Sequence, residues 1–309
     1  MKSVLITGIG GDIAQGVAKI LRQRWPEFRI YGSDTHGQHG GSLFSDECFT
    51  LPKAAEPEYV DALRSLLVSR CIDWLLPMTE PELEALSQSN DETICACCVY
   101  AGRSVVGAGI DKMATYEALR RSGLPAPWTI PVGEGAPSSY PCILKPRRGS
   151  GSRSVFIVSD KSDALHLAKR HPDAVYQELL EPADREVTAA VYRTRDGRTK
   201  SLLLLRRLTG GFTGWAQVID DPESSRICEI LARDLDLSGS MNVQLRLTDA
   251  GPRVFEINPR ISSTVLMRHY LGFNDAVWMF EERLGKKVEF PEIPPGKVAV
   301  RTQGAAILG

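Results

Sequence analysis

Through the first third of the chain, short apolar runs alternate with segments of helical periodicity. Val4-Leu5-Ile6 is followed by Ile13, Val17, Ile20 and Leu21 at helical spacing. The alternation continues with a strand at 29–32, a helix at 58–68, a strand at 74–77 and a helix at 81–86. Residues 94–99, Ile-Cys-Ala-Cys-Cys-Val, read as one more buried strand. Strands alternating with helices predict a parallel sheet covered on both faces. Ligands of such sheets gather at the carboxyl ends of the strands, which places Gly10, Gly11, Asp12, Asp34, Thr79 and Glu80 around one crevice.

The pattern then changes. A helix at 111–123 is stopped by Gly123 and by Pro125 and Pro127, and apolar strands at 141–145 and 155–158 flank a loop of glycines, serines and arginines. A helix at 162–170, strands at 175–181, 185–191 and 202–207, and a helix at 227–235 follow. Next come two alternating strands around Asp249-Ala250-Gly251, a three-residue hairpin loop with glycine in the left-handed position. The tail reads as a closing helix at 267–284, a proline-rich linker and a last strand.

In the hairpin, alternation puts Phe255 and Ile257 on the core face and Glu256 and Asn258 on the other, while Val243 and Leu245 oppose Asn242, Gln244 and Arg246. A three-residue loop sets Gln244 opposite Glu256. The oxygens of Gln244, Glu256 and Asn258 then converge, which outlines a site for Mg2+, an ion that takes a few hard oxygen ligands and leaves the rest to water and phosphate. Arg260, just past the strand, offers a forked cation to a second anion.

Lys145-Pro-Arg147-Arg148-Gly149-Ser150-Gly151-Ser152-Arg153 is the other concentration of chemistry. Its backbone can fold closely over phosphates while Lys145 and the hydroxyls donate. It is not a P-loop, since no Gly-Lys-Ser/Thr opens a helix, and it lacks the interleaved aromatics of a single-strand nucleic-acid surface.

Composition narrows the field. The 309 residues carry 37 basic and 38 acidic side chains, a net charge of −1, so no global field favours nucleic acid or an anionic membrane. No apolar run reaches the roughly 18 residues of a membrane span, and the chain opens directly on a strand without a signal-peptide pattern. A cytoplasmic protein is expected. Seven cysteines lack framework or zinc spacing, and those at 95, 97 and 98 read as core.

Glu256-Ile-Asn258-Pro259-Arg260 resembles the signature of the ATP-grasp superfamily, in particular the branch similar to the large subunit of carbamoyl phosphate synthetase. Asp111-Lys112, Thr115, Leu119 and Gly123-Leu-Pro-Ala-Pro127 look like the family's first helix, whose lysine reaches nucleotide phosphate. The glycine loop resembles its lid, with Lys145 on the α- and β-phosphates and Ser150, Gly151 and Ser152 as donors. By the same resemblance, Gln177, Glu178, Leu179 and Leu180 form the adenine hinge and Glu186 is the ribose or phosphate-side acid. Pro182-Ala-Asp-Arg185 replaces a glycine often found between them. A basic residue faces the transferred phosphate, and Arg207 is preferred here, with Arg206 beside it. Arg260 holds acyl-phosphate oxygens, and the first domain binds the non-nucleotide substrate through Gly10, Gly11, Asp12 and Glu80, with Glu82 a further candidate.

The implied architecture is α/β and α+β: a Rossmann-like parallel sheet at 1–107, then a two-lobed ATP-grasp fold, with the small lobe and lid at 108–180 and the metal-bearing lobe at 181–309. The implied activity is ligation of a small-molecule carboxylate to an amine or thiol, using ATP and Mg2+ and an acyl-phosphate intermediate. A homodimer is left open. Two other readings share these residues: carboxyphosphate or carbamate chemistry like the synthetase's own, and ATP binding without turnover. A dinucleotide reading of Gly8-Ile-Gly10-Gly11-Asp12-Ile13 with Asp34 lacks the third glycine, where Ile13 stands.

Overall fold

The structure is a computed structural model that describes residues 1–149, 154–302, 304 and 306. Its first unit runs β1 (Ser3–Thr7), α1 (Asp12–Arg24), β2 (Arg29–Asp34), β3 (Glu47–Thr50), α2 (Tyr59–Ser69), β4 (Trp74–Leu76), α3 (Glu80–Gln88) and α4 (Glu92–Cys97). The four strands form a parallel sheet in the order β3-β2-β1-β4. Residues 94–99 differ from the expected strand. Asp91 accepts from the Ile94 amide and caps a helix that buries Ile94 and Cys97 one turn apart, leaving Cys95 exposed. Only Cys98 bridges to the sheet, beside Leu75.

Helices α5 (Arg103–Ile110) and α6 (Lys112–Arg121) lead into β5 (Thr129–Pro131), β6 (Cys142–Pro146), β7 (Phe156–Val158), α7 (Lys161–Arg170) and β8 (Ala174–Glu178). These strands make an antiparallel sheet in the order β5-β8-β6-β7. The remaining elements are β9 (Glu186–Arg193), β10 (Thr199–Thr209), β11 (Phe212–Val218), α8 (Pro222–Asp234), β12 (Gly239–Thr248), β13 (Gly251–Asn258), α9 (Val265–Leu271), α10 (Asp275–Arg283) and β14 (Val298–Val300). Their six strands form a second antiparallel sheet, β13-β12-β9-β10-β11-β14. The closing helix is two helices, because Gly272 at φ +107° caps α9 in the left-handed region.

Two of these layers share one core. The buried face of α1 meets α9 and α10, where Trp25 stacks on Phe28 at 4.8 Å and Trp74 meets Phe280 edge-on at 5.4 Å. Full burial of a side chain such as Phe28 or Phe280 contributes about 1.5–3 kcal/mol, so the parallel sheet is docked on the C-terminal helices rather than tethered to them. A second core lies between the large sheet and α5, α6 and α8.

Helix α5 also sets the position of β13. A Cβ added at Gly109 would lie 2.8 Å from the Ile257 carbonyl oxygen and 2.7 Å from Pro259 Cδ, so only glycine allows this approach. Gly107, two residues earlier, faces open space. Gly109→Ala is expected to lower the unfolding free energy by about 1–3 kcal/mol, the usual result of overpacking. Gly107→Ala should be neutral or stabilising, since alanine is the better helix former. Urea denaturation of the two variants measures the difference.

Candidate functional site

The hairpin of β12 and β13 differs from the expected one in a way that changes which side chains reach the site. Thr248 pairs with Gly251 and Leu245 with Val254, so the connection is shorter than three residues; a bulge between Gln244 and Leu245 then restores the pairing of Gln244 with Glu256. The extra residue on β13 is Phe255. It therefore joins Glu256 on the polar face instead of entering the core.

Small lobe and large sheet enclose a cleft of about 160 Å3 lined by Ile143, Lys145, Gln177, Leu180, Glu186, Arg206, Gln244, Arg246, Phe255 and Glu256, among others. Alternation along β6 sends Ile143 and Lys145 into it while Cys142 and Leu144 enter the lobe's core. Lys145 is 6% exposed, and its Nζ donates to the Phe255 carbonyl at 3.3 Å. Burial lowers its pKa to about 8, against the pull of the Glu256 carboxylate and with a further push from Lys112. Lys112 lies at the base of the glycine loop, its Nζ donating to the Gly149 carbonyl at 2.8 Å. Asp111 secures that base by capping α6 and accepting both Arg147 Nε contacts at 2.9 Å. Burial alone would raise the Asp111 carboxyl, but these bonds hold it below its ordinary value. Ser150, Gly151 and Ser152 lie outside the described residues.

Strand alternation also separates the two neighbouring arginines. Arg206 turns into the cleft, donating to Glu186 and, at 3.0 Å, to Gln244 Oε1. Arg207, the residue expected here, points to the opposite, exposed face, over the Trp215 ring at 5.9 Å, and Arg206 lines the cleft in its place. Glu186 also accepts from Arg246 at 2.6 Å, and Arg246 donates to the Leu180 carbonyl at 2.7 Å. Arg246 was visible as a polar-face neighbour of Gln244 but had no role; Phe255 was hidden by the bulge. Within the hinge, Gln177 Nε2 donates to Thr129 Oγ1 at 2.9 Å, Glu178 accepts from the Trp128 amide at 3.3 Å, and Leu179 is half-buried away from the cleft.

For a metal, the candidate donors are the oxygens of Gln244, Glu256 and Asn258. Glu256 lies opposite Gln244, and Asn258 lies two pairs further on, opposite Asn242 and 5% exposed. One carboxylate and two amide oxygens suit Mg2+, which accepts incomplete protein ligation, although Asn258 does not line this cleft and Gln244 Oε1 already accepts from Arg206. Among the described residues, no group of three His, Cys, Asp or Glu side chains could hold a metal ion.

A second cleft, of about 440 Å3, opens at the carboxyl ends of β1 and β4. Gly11, Asp12 and Glu80 line it with Arg148 and Arg260; Gly10 does not, because its amide donates to Asp34 at 2.9 Å. That bond, and the Gly11 amide on the Gly8 carbonyl, close the glycine turn on itself. Arg260 donates to Glu80 at 3.2 Å, Arg148 pairs with Glu84, and Arg301 holds Asp12 at 2.8 Å. Glu82 is no ligand: it is buried beneath the cleft, accepting from Thr7, Thr79 and Tyr59. Burial raises its pKa despite those donors. The short run from Glu256 to Arg260 joins the two clefts.

A family model described as an ATP-grasp domain matches residues 110–264, and one described as a PylC-like N-terminal domain matches residues 4–98. D-alanine–D-alanine ligase of Mycobacterium sp. (strain KMS) is 30% identical across 55% of this chain and 57% of that protein; the chain thus spans little more than half the length of the curated relatives it matches. N5-carboxyaminoimidazole ribonucleotide synthetase of Staphylococcus aureus, solved with ADP, superposes with a TM-score of 0.78 at 15% identity, over 97% of this chain and 80% of that one. An L-amino acid ligase from Bacillus licheniformis gives 0.76 at 18%, over 96% and 78%. At such identities the likeness establishes the fold, a parallel sheet followed by antiparallel lobes. No helix among the described residues is long and apolar enough to cross a membrane.

The Lys145 pKa of about 8, against an ordinary 10.5, has a definite sign. The ammonium form prevails below pH 8 and is lost as pH rises through it. A polyphosphate binds the ammonium, so affinity for a nucleoside triphosphate is expected to fall between pH 7 and 9.5, and to vary less in Lys145→Met. Without ligand the effect reverses: as pH falls from 10.5 towards 8 the lysine of the unfolded chain takes up a proton before the buried amine does, so the fold loses stability across that range. Calorimetric titration and thermal melts across that range check both.

Proposed function

The chain belongs to the ATP-grasp family, and from that premise we propose that it is an ATP-dependent ligase that joins a small-molecule carboxylate to an amine, or to a thiol, through an acyl phosphate. The observation that best supports this is the meeting of Lys145 and Glu256 from separate lobes in one cleft, where the Lys145 Nζ donates to the neighbouring Phe255 carbonyl at 3.3 Å. Hydride transfer at the first-domain turn would have no use for that meeting.

In this reading the base of ATP lies against Ile143 and Leu180 at the hinge of residues 177–180, with Glu186 available to the ribose once its arginine partners shift. Lys145 holds the α- and β-phosphates and Lys112 the base of the lid. A carboxylate oxygen of the acid, oriented by Arg260, attacks the γ-phosphorus. The bond from that phosphorus to the β–γ bridging oxygen breaks, and ADP leaves with the electron pair. Arg206, bonded to Gln244 opposite Glu256, and Arg260, at the far end of the run, would neutralise charge on the transferred group. The amine nitrogen then attacks the acyl carbon, the carbon–oxygen bond to phosphate breaks, inorganic phosphate departs, and the nitrogen loses its proton to solvent. Held by Gln244, Glu256 and Asn258, Mg2+ would neutralise charge on the phosphates. In the same reading the units 1–107, 108–180 and 181–309 would serve acid binding, lid and metal lobe, with α6 of the middle unit packed on the large sheet.

Glu256 sits on the polar face of its strand, so removing its charge should affect metal and phosphate binding with little loss of packing. Glu256→Gln is expected to reduce acid-dependent ADP release by about 10²–10³-fold with an unchanged circular dichroism spectrum. Normal release by this variant would remove the proposal.

A further inference from the structure

We infer that the first-domain cleft selects an α-amino acid as the acid to be phosphorylated, with Glu80 recognising its ammonium group. This rests on the ligase reading above and narrows its substrate. The cleft's charges are already paired within the protein: Glu80 accepts from Arg260 at 3.2 Å, and Glu84 accepts from Arg148 across the same opening. The Glu80 and Arg260 side chains are 14% and 16% exposed, so neither is readily rehydrated when its partner is lost.

A plain carboxylate that takes Arg260 displaces Glu80 and leaves it half-sealed beside a second anion, the unfavourable outcome for a desolvated pair. A plain amine leaves Arg260 in the corresponding position. A molecule with both groups on one carbon replaces the pair as a unit, its carboxylate on Arg260 and its ammonium on Glu80. Because Arg260 and Glu80 are direct neighbours at 3.2 Å, the two halves of such a head group would be met side by side. Met78 and Ile110 supply apolar wall, and the cleft's 440 Å3 leaves room for a side chain beyond the α carbon. Glu80 stands in the first turn of α3, where the helix end favours an acid even without ligand. That accounts for an acid at this position but not for the arginine facing it.

The test measures ADP release from wild type and Glu80→Gln with ATP and Mg2+. The acids are the L- and D-amino acids and their deaminated counterparts, such as alanine against propionate. Amino acids are expected to be preferred by at least about tenfold, because a site built to hydrogen-bond a group rejects the analogue that lacks it, and Glu80→Gln should remove most of that preference. Should Glu80→Gln fail to fold by circular dichroism, Glu84→Gln is measured in its place, with partial loss of preference expected. Equal or better use of the deaminated acids, or an unchanged preference in the folded variant, overturns the inference while leaving an acid-dependent ligase. If no acid of either kind stimulates ADP release, the ligase reading itself falls and the inference with it.

Discussion

A lysine ammonium that is almost sealed from water is tolerable only where oxygen atoms are fixed close to it, and the architecture supplies them from another lobe. Lys145 comes from the small antiparallel sheet, while the carbonyl and carboxylate it faces, at Phe255 and Glu256, come from the last strand of the large one. Burial lowers the lysine's pKa further than the carboxylates of Glu256 and Glu186 restore it. An anion entering the cleft would raise it again. In the proposed reading that anion is a phosphate of ATP.

Everything around this contact fixes one of its two sides. Asp111 and Lys112 hold the start of the glycine loop and so the end of β6. Gly109 lets α5 approach the backbone of Ile257 and Pro259 and thereby sets β13. The aromatic cluster of Trp25, Phe28, Trp74 and Phe280 docks the parallel sheet on the C-terminal helices, which brings Glu80 to Arg260. Glu256 in the first cleft and Arg260 in the second are consequently four residues apart on one continuous backbone.

Much of this was legible in the sequence because the relevant signals are local. Strand alternation, glycine stops and proline breaks placed the parallel sheet, α6, the β6–β7 pair and the hairpin, and the resemblance carried by Asp111-Lys112 and Glu256-Ile-Asn258-Pro-Arg260 linked them. What escaped were features decided by tertiary pairing. Residues 94–99 have strand-forming composition, yet the Asp91 cap makes most of them helix. A bulge at one position moved Phe255 from core to cleft, although Gln244 still faced Glu256. Arg206 and Arg207 are equivalent in composition, and only the register of β10 decides which enters the site. Arginines on Glu186 and Asp12 could not be paired from spacing at all, since Arg301 lies 289 positions from its partner.

The most direct test of this arrangement is a crystal structure with Mg2+ and a non-hydrolysable ATP analogue. Phosphates lying between Lys145 and the Gln244–Glu256 pair, with the adenine at the hinge beside Leu180, is the expected result. A nucleotide found instead at the glycine turn of Gly8 to Gly11, with its ribose on Asp34 and the Lys145 cleft empty, would contradict it.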